Sequence, residues 1–474
     1  MGDSHTVLNQ LTIYIVVFFQ GIFMTRFFSS FFVAILFSTF TLGTAQADTS
    51  TCEVLPVAVD LNFGADQQEN LENILTEMVE KNIAPGAVML IEHKGKLVFS
   101  HTVGMADIER ARPMTSDALF RIYSMTKPLT SVVAMRMVEQ GKLKLDDPIS
   151  KYIPSFASAR VWAGDDAGEE TEPLERPILV ADLLRHTAGF TYLNPGSPIG
   201  RLYMAKGILG GPGAGTPLKY GVKPVTSLQM LADRIAETPL LNQPGSKFTY
   251  GNAVDVLGRV MEIASGQTLG DLIRNEVTVP LGMKDTSFAI PAGTQSRLTN
   301  NYAARPQVSN GPKDGSTLNY KELNVGKLGL ADDAQNSVFQ NKTIEFGGAG
   351  LLSTAQDYLR FTTEIRRAAN GHPSELVNAN SIQQMRTDQL DAKARANSPE
   401  LSRVGFGFGF AVRTAPTQED PVYPKCGISW GGAASTQFWI DPANEVSGVL
   451  MTQVFGGNVK SYWMAALKSI YANK

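Results

Sequence analysis

After an acidic start at Asp66 and Glu69, Leu71, Ile74, Leu75, Met78 and Val79 recur at helical spacing, which predicts a capped amphipathic helix. Gly86 to His93 and Lys96 to Val103 are β-rich runs joined around Lys94-Gly95, the pattern of a hairpin. Arg121 to Pro128 leads into the apolar-periodic Leu129 to Val138 and a stop at Gly141, so Ser124 is predicted at a helix beginning. From Phe156 to Pro291 the pattern turns to helical segments with acidic, Gly- and Pro-rich loops, and 292–342 are polar and irregular. Strand patterns return at Phe408 to Arg413, Ser435 to Ile440 and Val446 to Gln453, with a turn at Asp441-Pro442-Ala443-Asn444, and a helix over Val459 to Tyr471 closes the chain. Strands, then helices, then strands again predict one α/β body, 48–155 with 330–474, interrupted by a mostly helical insertion at 156–329.

Ahead of this body, residues 11–43 are almost continuously apolar, with Arg26 the one charge. Read from Met1 the leader has an early Asp3 and is overlong for an export signal. Read from Met24 it has a short cationic start, an apolar stretch from Phe27 to Gly43 and an A-x-A cleavage site at Ala45-Gln46-Ala47. The expectation is therefore a leader over 1–47, with the signal peptide at 24–47, and an exported protein, periplasmic or secreted. An uncleaved anchor at 11–43 is the competing reading, and it is the one membrane contact expected.

A formal charge of −3 over 474 residues gives no basic field for nucleic acid. The expected partner is a small molecule, and the sequence does not fix an oligomeric state. Two cysteines, Cys52 and Cys426, exclude a cysteine-cluster metal site and permit at most one disulfide. No His-Glu-x-x-His pattern occurs and the five histidines are scattered, so neither a metal nor a cofactor is expected. The glycine-rich run Gly210 to Gly215 has no preceding strand and no following Lys-Ser/Thr, and reads as a loop rather than a phosphate cradle.

Two serines compete as nucleophile. Gly427-Ile428-Ser429-Trp430-Gly431 fits G-x-S-x-G, but that elbow needs a histidine later in the chain and the last one is His372. Ser124-Met125-Thr126-Lys127 is the single Ser-x-x-Lys, and residues three apart on a helix share a face. A lysine can take a serine proton only when its own proton affinity is lowered from the ordinary ~10.4.

Beyond this tetrapeptide the chain resembles the serine β-lactamase and penicillin-binding-protein superfamily. Within it, the chain is most similar to the class C and D-alanyl-D-alanine-peptidase branch and to the β-lactamase-like (family VIII) carboxylesterases. The likeness rests on Pro85 to Val88, Ser124 to Lys127, Leu143 to Pro148, Leu183 to Gly189, Tyr250-Gly251-Asn252, Gly347 to Thr354 and Trp430 to Ala434, in the family's order. It implies an antiparallel sheet flanked by helices, acylation of Ser124, deprotonation assisted by Lys127, and a proton-shuttling tyrosine from a Y-x-N motif. Three such motifs exist, at Tyr192, Tyr250 and Tyr471. Tyr250 is chosen by its place among the other motifs, because Tyr192 follows the His186 segment closely and Tyr471 lies in the last helix. A tyrosine acting as base needs a nearby cation, so Lys127 should be close. Asn252 is expected to orient Lys127 and the substrate. Backbone N–H groups of Ser124 and Ala433 should hold the oxyanion, with Gly431 and Gly432 giving close approach and Trp430 an apolar wall. His186 reads as a structural histidine in a turn. Trp430-Gly431-Gly432 stands where β-lactamases carry Lys-Thr-Gly, which favours small esters over β-lactams or D-alanyl peptides; a non-catalytic wall-binding relative is the remaining alternative.

Overall fold

The computed structural model describes residues 61, 63–194, 196–208, 210–212, 223–306, 325–340, 344–401, 404–414 and 425–471. The leader, its cleavage site and Cys52 lie outside them. The main sheet has eight antiparallel strands: β1 (Gly86–His93), β2 (Lys96–Asp107), β3 (Arg112–Pro113), β4 (Val404–Phe406), β5 (Ala411–Arg413), β6 (Ile428–Gly431), β7 (Gln437–Asp441) and β8 (Val446–Met451). Their spatial order is β4-β5-β6-β7-β8-β1-β2-β3, so the N-terminal strands β1 to β3 join a sheet otherwise built by the C-terminal quarter of the chain. The β1–β2 pair is a hairpin. Lys94 and Gly95, both at positive φ, make its two-residue turn.

Strand β1 is buried along nearly its whole length because both its faces are covered. Ala87, Met89 and Ile91 face helices α1 (Ala65–Glu80) and α5 (Val459–Tyr471) through Leu71, Leu75, Trp463 and Leu467. Val88 and Leu90 face the opposite core, shared with α2 (Thr126–Glu139), α3 (Ala253–Ser265) and α4 (Ala355–Ala369). That second core continues into the helices Val180–Leu184, Pro198–Ala205 and Leu228–Ala236.

Three local readings need correction. The stretch 292–342, expected to be irregular, carries strands Asn301–Pro306 and Val325–Asp332, paired antiparallel. The N-cap of α1 is Gly64, without a side-chain cap bond, and Asp66 sits in the first turn, where its charge complements the helix dipole. Phe408 to Phe410 is not strand: Gly407 N–H bonds Phe410 O and Gly409 takes φ +93°, turning the chain against the Ser131 side chain of α2, where a Cβ would not fit. Among the described residues no helix is long and apolar enough to cross a membrane.

Candidate active site

From Ala118 to Met135 every residue is buried except Ser124. Tyr123 to Met125 form a 3₁₀ turn that runs directly into α2, and Tyr123 carries φ +41°, a region unfavourable to a side chain with a ring. This turn lifts the Ser124 hydroxyl out of the core at the mouth of a cleft of about 830 Å³. α2 is apolar on all sides, as a helix at the centre of a core should be, and its one buried cation is Lys127, 1% exposed.

The Lys127 ammonium spends its three protons on Ser124 Oγ at 3.2 Å, Tyr192 Oη at 2.9 Å and the Gly348 carbonyl at 2.7 Å. It also lies over the Tyr250 ring, 4.7 Å from the centroid. Burial opposes its charge, but the oxygens of Tyr192 and Tyr250 and the Asp255 carboxylate outweigh burial and hold Lys127 above the ordinary lysine value. The direction is opposite to that required of a resting free-amine base. Burial pushes the Tyr192 phenol up, with Lys127 opposing, so the resting pair is an ammonium beside a neutral phenol.

Tyr250 stands in an aromatic box. Its ring centroid lies 5.4 Å from Tyr192, 5.5 Å from Trp430 and 4.8 Å from His186, and Phe406 closes the box against Trp430 at 5.2 Å. His186 occupies a turn with φ +58°; it is fully buried, and neither ring nitrogen has a hydrogen-bond partner in the protein. Burial, reinforced by Lys127, drops its proton affinity far below the usual imidazole range, so it is neutral. Its turn is held by Asp182, whose carboxylate receives Arg176 at 2.6 and 2.9 Å, Arg185 at 3.0 Å and Thr187 Oγ1 at 2.8 Å.

The opposite wall is β6 and the turn after it. Trp430, Gly431, Gly432 and Ala433 all line the cleft, as does Ser429. Gly432 passes so close to the Ile122 carbonyl, two residues before Ser124, that a Cβ would overlap it and Thr436 Oγ1. The glycine therefore sets the spacing between this turn and the Ser124 segment. Asn252 is fully buried, and its amide donates to Asp255 Oδ2 at 2.9 Å. The place beside Lys127 is taken by Tyr192, which spacing along the chain had set aside and which only the folded loop brings in. Tyr471 bonds Asp441 and Trp439 beneath the sheet.

Two cations that no motif signals also line the cleft, Arg413 from β5 and Lys460 from the first turn of α5. Gly210, Gly211 and Pro212 contribute to its rim, while the remainder of that glycine-rich run lies outside the described residues.

The sequence model of the Beta-lactamase family matches residues 71–468. The chain belongs to that family. It is 32% identical to protein Rv1367c of Mycobacterium tuberculosis over 78% of this chain and 86% of that one. It is 29% identical to esterase EstB of Burkholderia gladioli, over 88% of this chain and 98% of the esterase. Among solved structures it is similar to EstCE1, described as a hydrolase with promiscuous acyltransferase activity, at 27% identity and a TM-score of 0.67, covering 85% of this chain and 98% of EstCE1. The fold is thus that of the β-lactamase family, and the chain is a serine hydrolase of it.

Proposed function

We propose that this hydrolase cleaves small carboxylic esters through a covalent acyl-enzyme on Ser124. The observation that carries the reading is the bond from buried Lys127 to Ser124 Oγ at the mouth of an aromatic-walled cleft. In the reactive form the Lys127–tyrosine cluster has given up one proton. It then accepts the Ser124 proton as Oγ attacks the ester carbonyl. The oxyanion is held by the N–H groups of Ser124 and Ala433. The cluster returns the proton to the leaving alcohol through Tyr250, with Tyr192 keeping Lys127 in place, and water then attacks the acyl-enzyme by the reverse route. An alcohol in place of water would give acyl transfer, the side activity ascribed to EstCE1.

Trp430, tilted against Tyr250 and edge-on to Phe406, supports an uncharged acyl or alcohol group at this wall. The specific observation in favour of β-lactams or terminal D-alanyl peptides is the presence of Lys460 in the cleft, whose ammonium can meet a carboxylate. Measuring kcat/KM for nitrophenyl acetate, nitrophenyl butyrate and a chromogenic cephalosporin, with mass spectrometry of the trapped acyl group, tests both readings. A cephalosporin faster than the esters overturns the first, and an acyl group on any serine but Ser124 overturns the nucleophile.

We also propose that the protein acts outside the cytoplasm. The apolar leader and its A-x-A site support this. N-terminal sequencing of secreted or membrane-bound material tells a cleaved leader from an anchor, and recovery of the enzyme from the cytoplasmic fraction alone contradicts the proposal.

A further inference from the structure

Asp255 is a fully buried carboxylate that the reaction outlined above does not use. We propose that Asp255 is a positioning residue that fixes where the catalytic proton resides, holding it on Lys127 through the peptide of Gly348. The inference rests on the reading of Ser124 and Lys127 given above.

The connection is one peptide group long. Asp255 Oδ1 accepts Gly348 N–H at 2.8 Å, and the carbonyl of the same residue accepts Lys127 Nζ at 2.7 Å. The other oxygen, Oδ2, is held by Asn252 Nδ2 at 2.9 Å. A carboxylate on the N–H side of a peptide polarises it and strengthens its carbonyl as an acceptor, so the ammonium on the far side is favoured twice, by that bond and by the charge itself. This also gives Asn252 a task, which is to keep the carboxylate turned toward Gly348.

The titratable groups facing Lys127 are Tyr192, Tyr250, Asp255 and His186. Both tyrosines come from loops before helices, Asp255 from the first turn of α3, and His186 from its own turn. Burial pushes the Asp255 carboxyl up, while Lys127, Gly348 N–H and the Asn252 amide favour its anion; the imidazole is neutral, which leaves Asp255 as the carboxylate of the set. Lys127 and Tyr192 share a hydrogen bond and titrate together, and the reactive form of the cluster has one proton fewer than the resting form. A fixed negative charge beside the cluster delays loss of that proton whichever member gives it up. Because Asp255 is bonded to the peptide that holds Lys127, it keeps the remaining proton on the lysine and leaves a phenolic oxygen to receive the proton of Ser124.

The test is the pH dependence of kcat/KM for nitrophenyl butyrate in the full-length enzyme, with the rate of fluorophosphonate labelling measured in parallel. Asp255→Asn removes the charge and keeps the shape. The acid limb of the profile should move to lower pH by about one unit or more, which is roughly tenfold more of the plateau rate retained at a pH on that limb. Gly348→Ala is the second variant: a Cβ there would meet the Asp255 carboxyl atoms at 3.0–3.3 Å and push the carboxylate away without changing its charge. A smaller shift in the same direction is expected. If Asp255→Asn fails to fold, as judged by circular dichroism and melting, Gly348→Ala decides alone. A role confined to the fold lowers the rate equally at every pH and leaves the midpoint in place, and that result overturns the proposal. Labelling on Ser124 with an unmoved midpoint removes this inference only, whereas labelling on another serine removes it together with the proposed function.

Discussion

Gly432→Ala should cripple turnover while sparing the fold, and its neighbour Gly431 supplies the control. A methyl on Gly432 would overlap the Ile122 carbonyl and Thr436 Oγ1. Ile122 cannot yield cheaply, because its N–H is bonded to Leu351 O and its carbonyl accepts Met125 N–H at the base of the nucleophile turn. Restoring ordinary contact needs the two backbones to part by about 1 Å, and a displacement of that size between reacting groups costs about 100-fold. Losing one oxyanion donor outright costs ~100- to 1,000-fold, so a kcat fall of about two decades is expected, equivalent to roughly 2.7 kcal/mol in the barrier. Overpacking should cost about 1–3 kcal/mol of stability as well, read as a lowered urea midpoint with the slope unchanged. At Gly431 the same methyl would meet only the side-chain amide of Gln437 at 2.7–2.9 Å, the far end of a side chain that can swing away. Gly431→Ala should stay within about fivefold of the parent, as expected for a shift a flexible side chain absorbs. The assay is kcat and KM for nitrophenyl acetate together with the fluorophosphonate labelling rate. If Gly432→Ala keeps kcat within threefold of the parent, or if both alanines behave alike, close approach at Gly432 does not set the site.

Ser124→Ala should abolish turnover and covalent labelling, while Ser429→Ala keeps most activity; labelling that survives in Ser124→Ala refutes the nucleophile. Lys127→Ala and Tyr250→Phe should each cost nearly as much as the pair together, as expected for one proton-handling unit, and a double loss equal to the product of the singles contradicts that. Tyr192→Phe removes a bond to Lys127 without removing the ring, so a smaller loss than Tyr250→Phe is expected in kcat; the reverse order would exchange their roles. Although burial opposes it, Asp182 is held below the ordinary carboxylate value by Arg176, Leu179 N–H and Arg185, so its stabilisation is present above the unfolded value of ~3.9 and is lost as pH falls through the lower folded value. Asp182→Asn should therefore cost about 3–5 kcal/mol near pH 7, and the gap to the parent in urea unfolding should narrow below about pH 4; a gap independent of pH removes the charge from the explanation.

What the sequence made legible was local. Ser124 and Lys127 meet because three residues along a helix is a fixed distance, and the hairpin at Lys94-Gly95 is a two-residue turn with its own chemistry. Tyr192 was missed because its approach to Lys127 depends on a loop path, for which closeness to His186 along the chain is no guide. Asn252 was placed by motif, but the direction of its amide depends on Asp255 one helical turn later, an anion that competes for it. Arg413 and Lys460 carry no signature at all: β5 and α5 reach one cleft through sheet order and packing, which periodicity does not encode. The strand over Phe408 to Phe410 failed for a related reason, since Gly407 and Gly409 bend the chain to meet Ser131 from elsewhere in the fold.

The sheet order has a consequence for when activity can arise during synthesis. Strand β1, made early, has β8, made late, as one of its two neighbours, and the Ser124 turn is completed by Gly432 from the same late segment. A nascent chain that has emerged as far as α3 already carries the nucleophile, Lys127 and both tyrosines, yet it lacks the wall that faces them. Contacts so distant along the chain close slowly, and an unpaired β1 edge is open to wrong partners until they do. Hydrolase activity should therefore appear abruptly, with the last strands, and C-terminal truncation before β6 should yield a chain that fluorophosphonate does not label.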